Sequence, residues 1–205
     1  MNKLILHPSY FVDVISLIHI HRSCTILFET KDSFIKQTYR NRAYIAAANG
    51  KLALNIPIIH QKKDQSVPYN SVQIDHTQTW ATTHLKSIKN AYYSSPYFEY
   101  YQDELELLFT EIPELLIDWN IKTFYFLLEH LMISRDVRQT VTYQDDKLAK
   151  QLVNAKGQPL LYLAPYIQVF QEKHGFIQPL SGLDLLFNLG PAASSYLKSQ
   201  YHHLK

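Results

Sequence analysis

The sequence predicts an α/β protein in which an N-terminal strand-helix-strand unit and a β-hairpin build a small mixed sheet, followed by a largely helical C-terminal half. Three observations carry this prediction. Apolar runs of strand length, Leu4–Leu6 and Thr25–Glu29, flank a stretch with Phe11, Val14, Ile15 and Ile18 at helical spacing. Two alternating segments, 43–47 and 52–56, flank the turn-prone dipeptide Asn49-Gly50. Long amphipathic stretches then dominate from Thr77 onward.

The first strand ends at His7-Pro8, and Ser9 is placed to cap a helix from Tyr10 to about His19. Pairing around Asn49-Gly50 sets Ile45 opposite Leu54 and Ala43 opposite Ile56 on one apolar face. Arg40, Arg42, Tyr44 and Asn55 then share the other face, because strand side chains alternate. A polar loop is expected at 61–70 and a short strand at Ser71–Ile74. Asp75 opens a helix over Thr77–Tyr92, Ser94-Ser95-Pro96 breaks it, and Pro96 starts another through about Phe109. A third helix fits Glu114–Ile133. Between Arg135 and Pro159 the pattern is polar, with a strand at Thr140–Tyr143 and a short helix near Lys147–Val153. Helices at Gly182–Asn188 and Pro191–Leu197 close the chain.

At 205 residues the chain reads as a single domain, 1–205, long enough to bury its own core. Charged residues make up 19% and the net charge is only +2, so a general nucleic-acid binder is not expected and any anion site must be local. One cysteine, Cys24, excludes an internal disulfide, fits a reducing compartment and reads as a buried small hydrophobe. No apolar run reaches the roughly 18 residues of a membrane span, and His7, Pro8 and Asp13 interrupt the N-terminal stretch. A cytoplasmic protein is expected. The 15 tyrosines suit half-buried pocket walls as well as cores.

Several groups could carry chemistry. On the 77–92 helix, Ala81, Leu85, Ile88 and Tyr92 form an apolar stripe, with Trp80, His84, Ser87 and Ala91 beside it and Lys86 outside both. His84 is a candidate general acid or base, and a satisfied boundary histidine is the structural alternative. Lys36, Arg40 and Arg42 lie close together with Tyr39 among them. Two arginines on one strand face would stand about 7 Å apart and could bracket a diphosphate; a solvated strand face is the alternative. The aromatic stretch from Ser94 to Tyr101 includes Ser95 and Tyr97 and could stack on a sugar or base, or simply pack between helices. Asp184 shares a helix face with Asn188 and reads as a catalytic base or a capping partner. The histidine pairs 19/21 and 202/203 lack partners at metal-ligand spacing, so no metal is expected. The count of 5 glycines and the absence of a glycine-rich phosphate loop or a GxSxG turn argue against P-loop enzymes, dinucleotide-binding dehydrogenases and typical α/β hydrolases, and no cofactor is called for.

An ordered set of segments resembles the WbqC-like protein family. It comprises Lys36 to Arg42, Asn49-Gly50-Lys51, Trp80 with His84, Lys86 to Tyr92, Ser95 to Tyr101, His174-Gly175-Phe176, Leu180-Ser181 and Leu183 to Asn188. The likeness runs from Pro8 to about Gly190. It implies a bacterial cytoplasmic protein whose relatives accompany surface-polysaccharide genes, with acyl or aminoacyl transfer to an amino sugar as the implied chemistry. Many relatives open with Gln-Pro-aromatic where this chain has His7-Pro8-Ser9-Tyr10, which puts a shared reaction in question. The opening strand, Pro-containing turn and helix are also similar to nucleotidylyltransferase folds, at fold level alone.

The leading expectation is an enzyme, a transferase if it is one, acting on a phosphorylated or nucleotide-activated small molecule. Arg40 and Arg42, with Lys36 or Lys86, would hold phosphates. Trp80 and a tyrosine near Ser95, such as Tyr97, would stack on a ring, with Tyr39 and Ser95 also contacting substrate. His84 and Asp184 would handle protons. The rival readings are a non-catalytic module for RNA or a protein, and a structural subunit. Oligomeric state is left open.

Overall fold

Two small sheets and a set of helices share one apolar core. The structure is a computed structural model that describes residues 2–59, 67–156 and 159–204. Strands β1 (Lys3–Leu6), β2 (Thr25–Phe28) and β5 (Asp136–Gln139) form a parallel sheet in the order β1-β2-β5. Helix α1 (Val14–Arg22) crosses between β1 and β2, so the strand-helix-strand unit is present. Strands β3 (Arg42–Ala47) and β4 (Gly50–Asn55) pair antiparallel as a separate two-stranded sheet. The remaining helices are α2 (Trp80–Tyr92), α3 (Phe98–Leu108), α4 (Leu116–His130), α5 (Lys147–Leu152), α6 (Gln171–His174), α7 (Gly182–Leu189) and α8 (Ala193–Ser199). Of the loop expected at 61–70, residues 61–66 lie outside the described residues, as do 157–158 of the stretch 135–159.

Several boundaries differ from the sequence expectation, each for a local reason. Helix α1 starts at Val14, not Tyr10, and Asp13 rather than Ser9 caps it: Oδ1 accepts from the amides of Ile15 at 2.9 Å and Ser16 at 3.2 Å. Phe11 has φ 41, which no helix allows, so the chain turns before it coils. The hairpin pairs Ile45 with Leu52 and Ala43 with Leu54, two residues from the expected register. Gly50 has φ 99 whereas Asn49 is not left-handed, so the tight turn falls one residue earlier, with glycine closing it. A slip of two preserves the faces, and it sets Arg42 rather than Tyr44 opposite Asn55.

No strand forms at Ser71–Ile74. A 3₁₀ turn covers Tyr69–Ser71, and Gln73 bridges Leu115. That bridge keeps Leu115 extended and delays α4 to Leu116. Strand β5 precedes the expected 140–143 because it pairs with β2 residue for residue; as a mostly exposed edge it carries little apolar alternation to read. Cys24 is exposed, contrary to expectation, because it lies in the α1–β2 turn, where its amide bonds Asn2 and its side chain meets solvent.

One buried polar cluster ties these elements together. Arg40 is 0% exposed; its Nη2 lies 2.8 Å from Asp32 Oδ2 and its Nη1 donates to the Ser33 carbonyl at 2.8 Å. His7 Nε2 lies 3.0 Å from the same Asp32 oxygen. Arg40 also stacks 5.0 Å over the Tyr69 ring. The Tyr69 hydroxyl donates to the Pro8 carbonyl, and Asn120 of α4 donates to the Arg40 carbonyl and the Tyr69 hydroxyl, each at 2.6 Å. Burial pushes the Asp32 carboxyl up, but Arg40, His7 and the Ser33 amide outweigh it and hold its pKa below the usual value.

Removing Asp32 would leave a guanidinium stranded in the core. Asp32→Ala is expected to cost about 3–5 kcal/mol, measured by urea unfolding at pH 7. A loss below about 1 kcal/mol would show that the buried pair is not the tie described.

Candidate functional site

Lys51 and Asn55 on the polar face of the hairpin are exposed, and at its Lys51 end this face meets the N-terminus of α1. There Asp13, Tyr39 and Lys51 line a cavity of about 110 Å³, walled also by Ile15, Gln151 and Asn154. The cavity has a built acid. Asp13 is buried, its Oδ2 accepting from the Ser16 hydroxyl at 2.6 Å while Oδ1 caps the helix. Burial pushes its carboxyl pKa up against the hydrogen bonds from Ser16 and Ile15, which pull it down. Ser181 forms a backbone bridge with Asp13, and its buried hydroxyl has no partner among the described residues.

Lys51 supplies the cation. It is exposed by surface area but crowded by surrounding protein, and that crowding lowers its pKa, with Asp13 opposing the shift. Its Nζ lies 4.3 Å from the Tyr44 ring centroid, and the Arg42 guanidinium lies 5.9 Å from the same ring. Tyr39 meets Tyr44 edge-on at 6.1 Å, and burial, Asp13 and Tyr44 together raise its pKa. The cavity thus sets a carboxyl with a raised pKa and an amine with a lowered one along the same wall.

The residues nominated from the sequence are divided by the structure. Tyr39 lines the cavity, and Arg42 stands beside it, half-buried, with Nε donating to Asn55 Oδ1 at 2.6 Å and Nη1 to the Tyr44 hydroxyl at 3.2 Å. Arg40 does not share a strand face with Arg42. It precedes β3 and its fork is directed at Asp32 and Ser33, because the desolvated guanidinium needs a carboxylate partner. Lys36 is exposed on the loop before it, and Lys86 is exposed on α2.

The stripe of Trp80 and His84 lies within the core rather than beside it. His84 is 5% exposed, with Nδ1 3.0 Å from the Tyr10 hydroxyl, its ring 5.2 Å from Trp80, and Trp80 in turn 6.3 Å from Trp119. Burial lowers the His84 pKa to about 4, with the Asn55 backbone opposing the shift, so the ring is neutral at pH 7. Asp184 is also fully buried. It accepts from the hydroxyls of Tyr92 at 2.9 Å and Tyr166 at 2.6 Å and from Gln168 Nε2 at 2.9 Å. Burial raises its pKa while those three donors lower it. Ser95 is buried with its hydroxyl on the Tyr92 carbonyl, and Tyr97 packs against Gly190.

Asp13 and Lys51 were not nominated, although signals for both exist. Aspartate is a strong N-cap, and any register that puts Asn55 on the polar face puts Lys51 there too. Among the described residues, no group of three His, Cys, Asp or Glu could hold a metal ion, and no helix is long and apolar enough to cross a membrane.

With the geometry in place, comparison decides the relationship. The profile of the WbqC-like protein family matches residues 17–158, more than half of the chain. The chain belongs to the WbqC-like protein family. This WbqC-like protein matches no curated protein and no solved structure. The matched span includes Tyr39, Lys51 and His84, whereas Asp13 and Asp184 lie outside it.

The burial of His84 sets a pH dependence. Its folded pKa, about 4, lies below the ordinary value near 6.5, so between these values the unfolded chain binds the extra proton. Stability from this group is complete above pH 6.5 and is lost as pH falls toward 4, by about 3 kcal/mol in all. Urea midpoints from pH 7.5 to 4 are expected to fall more steeply for the wild type than for His84→Gln. Parallel slopes would place the neutral imidazole elsewhere.

Proposed function

We propose that this WbqC-like protein is an enzyme, a transferase, acting on a phosphorylated or nucleotide-activated small molecule at the Asp13–Tyr39–Lys51 cavity. Transfer of an acyl or aminoacyl group to an amino sugar in surface-polysaccharide synthesis is the reaction class, drawn from the family resemblance. The supporting observation is the pairing of a carboxyl with a raised pKa and an amine with a lowered one in a single small cavity.

The roles follow from chemistry. A cavity of about 110 Å³ takes a small polar group, not a whole nucleotide sugar, so the remainder extends outward over the hairpin. Lys51, with Lys156 on the cavity wall, holds the anionic group, and Arg42 and Tyr44 on the same hairpin face extend that contact. In its ionised form Asp13, made more basic by burial, takes the proton from the attacking amine as the new acyl–nitrogen bond forms, while the bond to the donor breaks and the leaving group departs with its electron pair toward Lys51. Tyr39 walls the cavity and is held by its backbone, its amide donating to the Val153 carbonyl and its carbonyl accepting from the Tyr10 amide. Arg40, His84, Trp80 and Asp184 act as positioning residues, whereas Lys36, Lys86, Ser95 and Tyr97 do not line this cavity and take no part in it.

Thermal unfolding with inorganic diphosphate, a uridine-diphosphate amino sugar and acetyl-coenzyme A tests this reading. At least one phosphate-bearing probe is expected to stabilise the fold by about 2.7 kcal/mol at a hundred times its Kd. Lys51→Ala should weaken that probe roughly tenfold to hundredfold, while Lys198→Ala leaves it unchanged. Asp13→Asn, which keeps a capping side chain, should bind normally and lose turnover. Lack of response to every probe, or Lys51→Ala indistinguishable from wild type, would refute the proposal.

A further inference from the structure

Far from this cavity in sequence, the chain builds a second surface of opposite character. Between Lys89 and Lys122 there is no lysine or arginine, yet that stretch carries seven of the 18 carboxylates. In a protein of net charge +2 this is a local excess of negative charge. The stretch spans α3 and the start of α4, and these two helices leave an open groove of about 540 Å³ between them.

The groove floor is apolar. Leu107, Leu108, Ile121, Tyr125 and Phe126 line it, with Leu107 69% and Tyr125 48% exposed. Single exposed apolar residues are ordinary, but a contiguous set in a groove marks a contact surface. The rim is acidic, formed by Glu104, Glu111 and Glu129. Two basic groups at the rim are engaged locally. Lys122 Nζ donates to the Glu111 carbonyl at 2.7 Å, and His130 Nε2 lies 3.2 Å from Glu104.

We propose that the α3–α4 groove docks an amphipathic helix from a basic protein partner. Both walls are helices and neither offers a sheet edge, so a helix seated by apolar anchors is the recognition mode that fits. Charge selects among the occupants. A two-fold contact with a second copy would set acidic rim against acidic rim. An anionic lipid surface or nucleic acid would be repelled for the same reason. A helix with leucine-like anchors flanked by lysine or arginine satisfies both floor and rim.

The test uses a labelled 14-residue peptide of leucine and lysine, with leucines at i, i+3, i+4 and i+7, and a counterpart in which glutamate replaces lysine. Fluorescence anisotropy against the full chain should show the lysine peptide binding at least roughly tenfold more tightly than the glutamate peptide, and more weakly as salt rises. Leu107→Asp decides between docking and mere attraction to acidic surface. It adds a negative charge, so simple attraction predicts tighter binding, whereas docking predicts a loss of roughly tenfold or more. Leu107 is largely exposed, so this variant should fold, and circular dichroism confirms that it does. Unchanged or tighter binding by Leu107→Asp, or equal binding of the two peptides, overturns the proposal. So does a concentration-dependent dimer in sedimentation that Leu107→Asp dissociates, because it would assign the groove to a second copy.

Discussion

Burying the Arg40 guanidinium constrains most of what surrounds it. A guanidinium that reaches no water must find a carboxylate and carbonyls within the fold, and here it finds Asp32 and Ser33. Asp32 follows β2 and also pairs with His7, directly after β1, while Asn120 of α4 donates to the Arg40 carbonyl, so the cluster around Arg40 ties three separate stretches of chain. Arg40 Nε and Asn120 Oδ1 lack partners among the described residues, so the cluster is not perfectly satisfied. Such a cluster contributes register more surely than net stability, because breaking either half is costly while the intact pair gains little over an apolar core.

That register places the candidate site. With Arg40 fixed, Tyr39 takes the Tyr10 amide on its carbonyl and gives its own amide to Val153, drawing the 10–13 turn and the end of α5 to the hairpin. The turn is tight enough to hold Phe11 at φ 41, a costly conformation for a bulky residue. It persists because Phe11 is fully buried and its amide bonds the Thr123 hydroxyl. The next residues are Val12, whose carbonyl accepts from Gly182, and Asp13, whose carboxyl caps α1 beneath Lys51. The strained Phe11 and the buried Asp13 carboxyl thus lie two residues apart, and of the two only Asp13 lines the cavity.

Much of the fold was legible because its signals are local and periodic. The strand-helix-strand opening, the two hairpin faces and the α2, α3 and α7 helices follow from apolar spacing and turn chemistry. The parts that were not legible depend on pairing between distant segments. Residues 72–74 and 114–116 hold each other through a bridge and backbone hydrogen bonds, and β5 exists because β2 has a free edge. The site was legible in part for the same reason. Arg40 and Arg42 are two apart in sequence, which suggests a common face, yet only Arg42 is in the strand. His84 resembles a catalytic histidine at its position on α2, but the Trp80 indole and the Tyr10 ring pack against it, and both of these in turn meet Trp119. Composition cannot distinguish a histidine placed to meet substrate from one placed to fill a core.

The near-neutral charge of the chain conceals a division of labour. Lys51, Lys156 and Arg42 gather at or beside one cavity, while Glu104, Glu111 and Glu129 line the α3–α4 groove. Whole-chain charge averages these into +2 and argues only against a broad anion-binding surface. Local fields act over about a Debye length, roughly 8 Å at physiological salt, so two such patches on one protein need not cancel each other. Each selects its own ligand class. The buried ion cluster at Arg40 contributes to neither patch directly, because its charge is matched by Asp32 where it stands. Its contribution is geometric: it fixes the strands and turn that present the cations at the cavity, and through Asn120 it anchors α4, which forms one wall of the acidic groove.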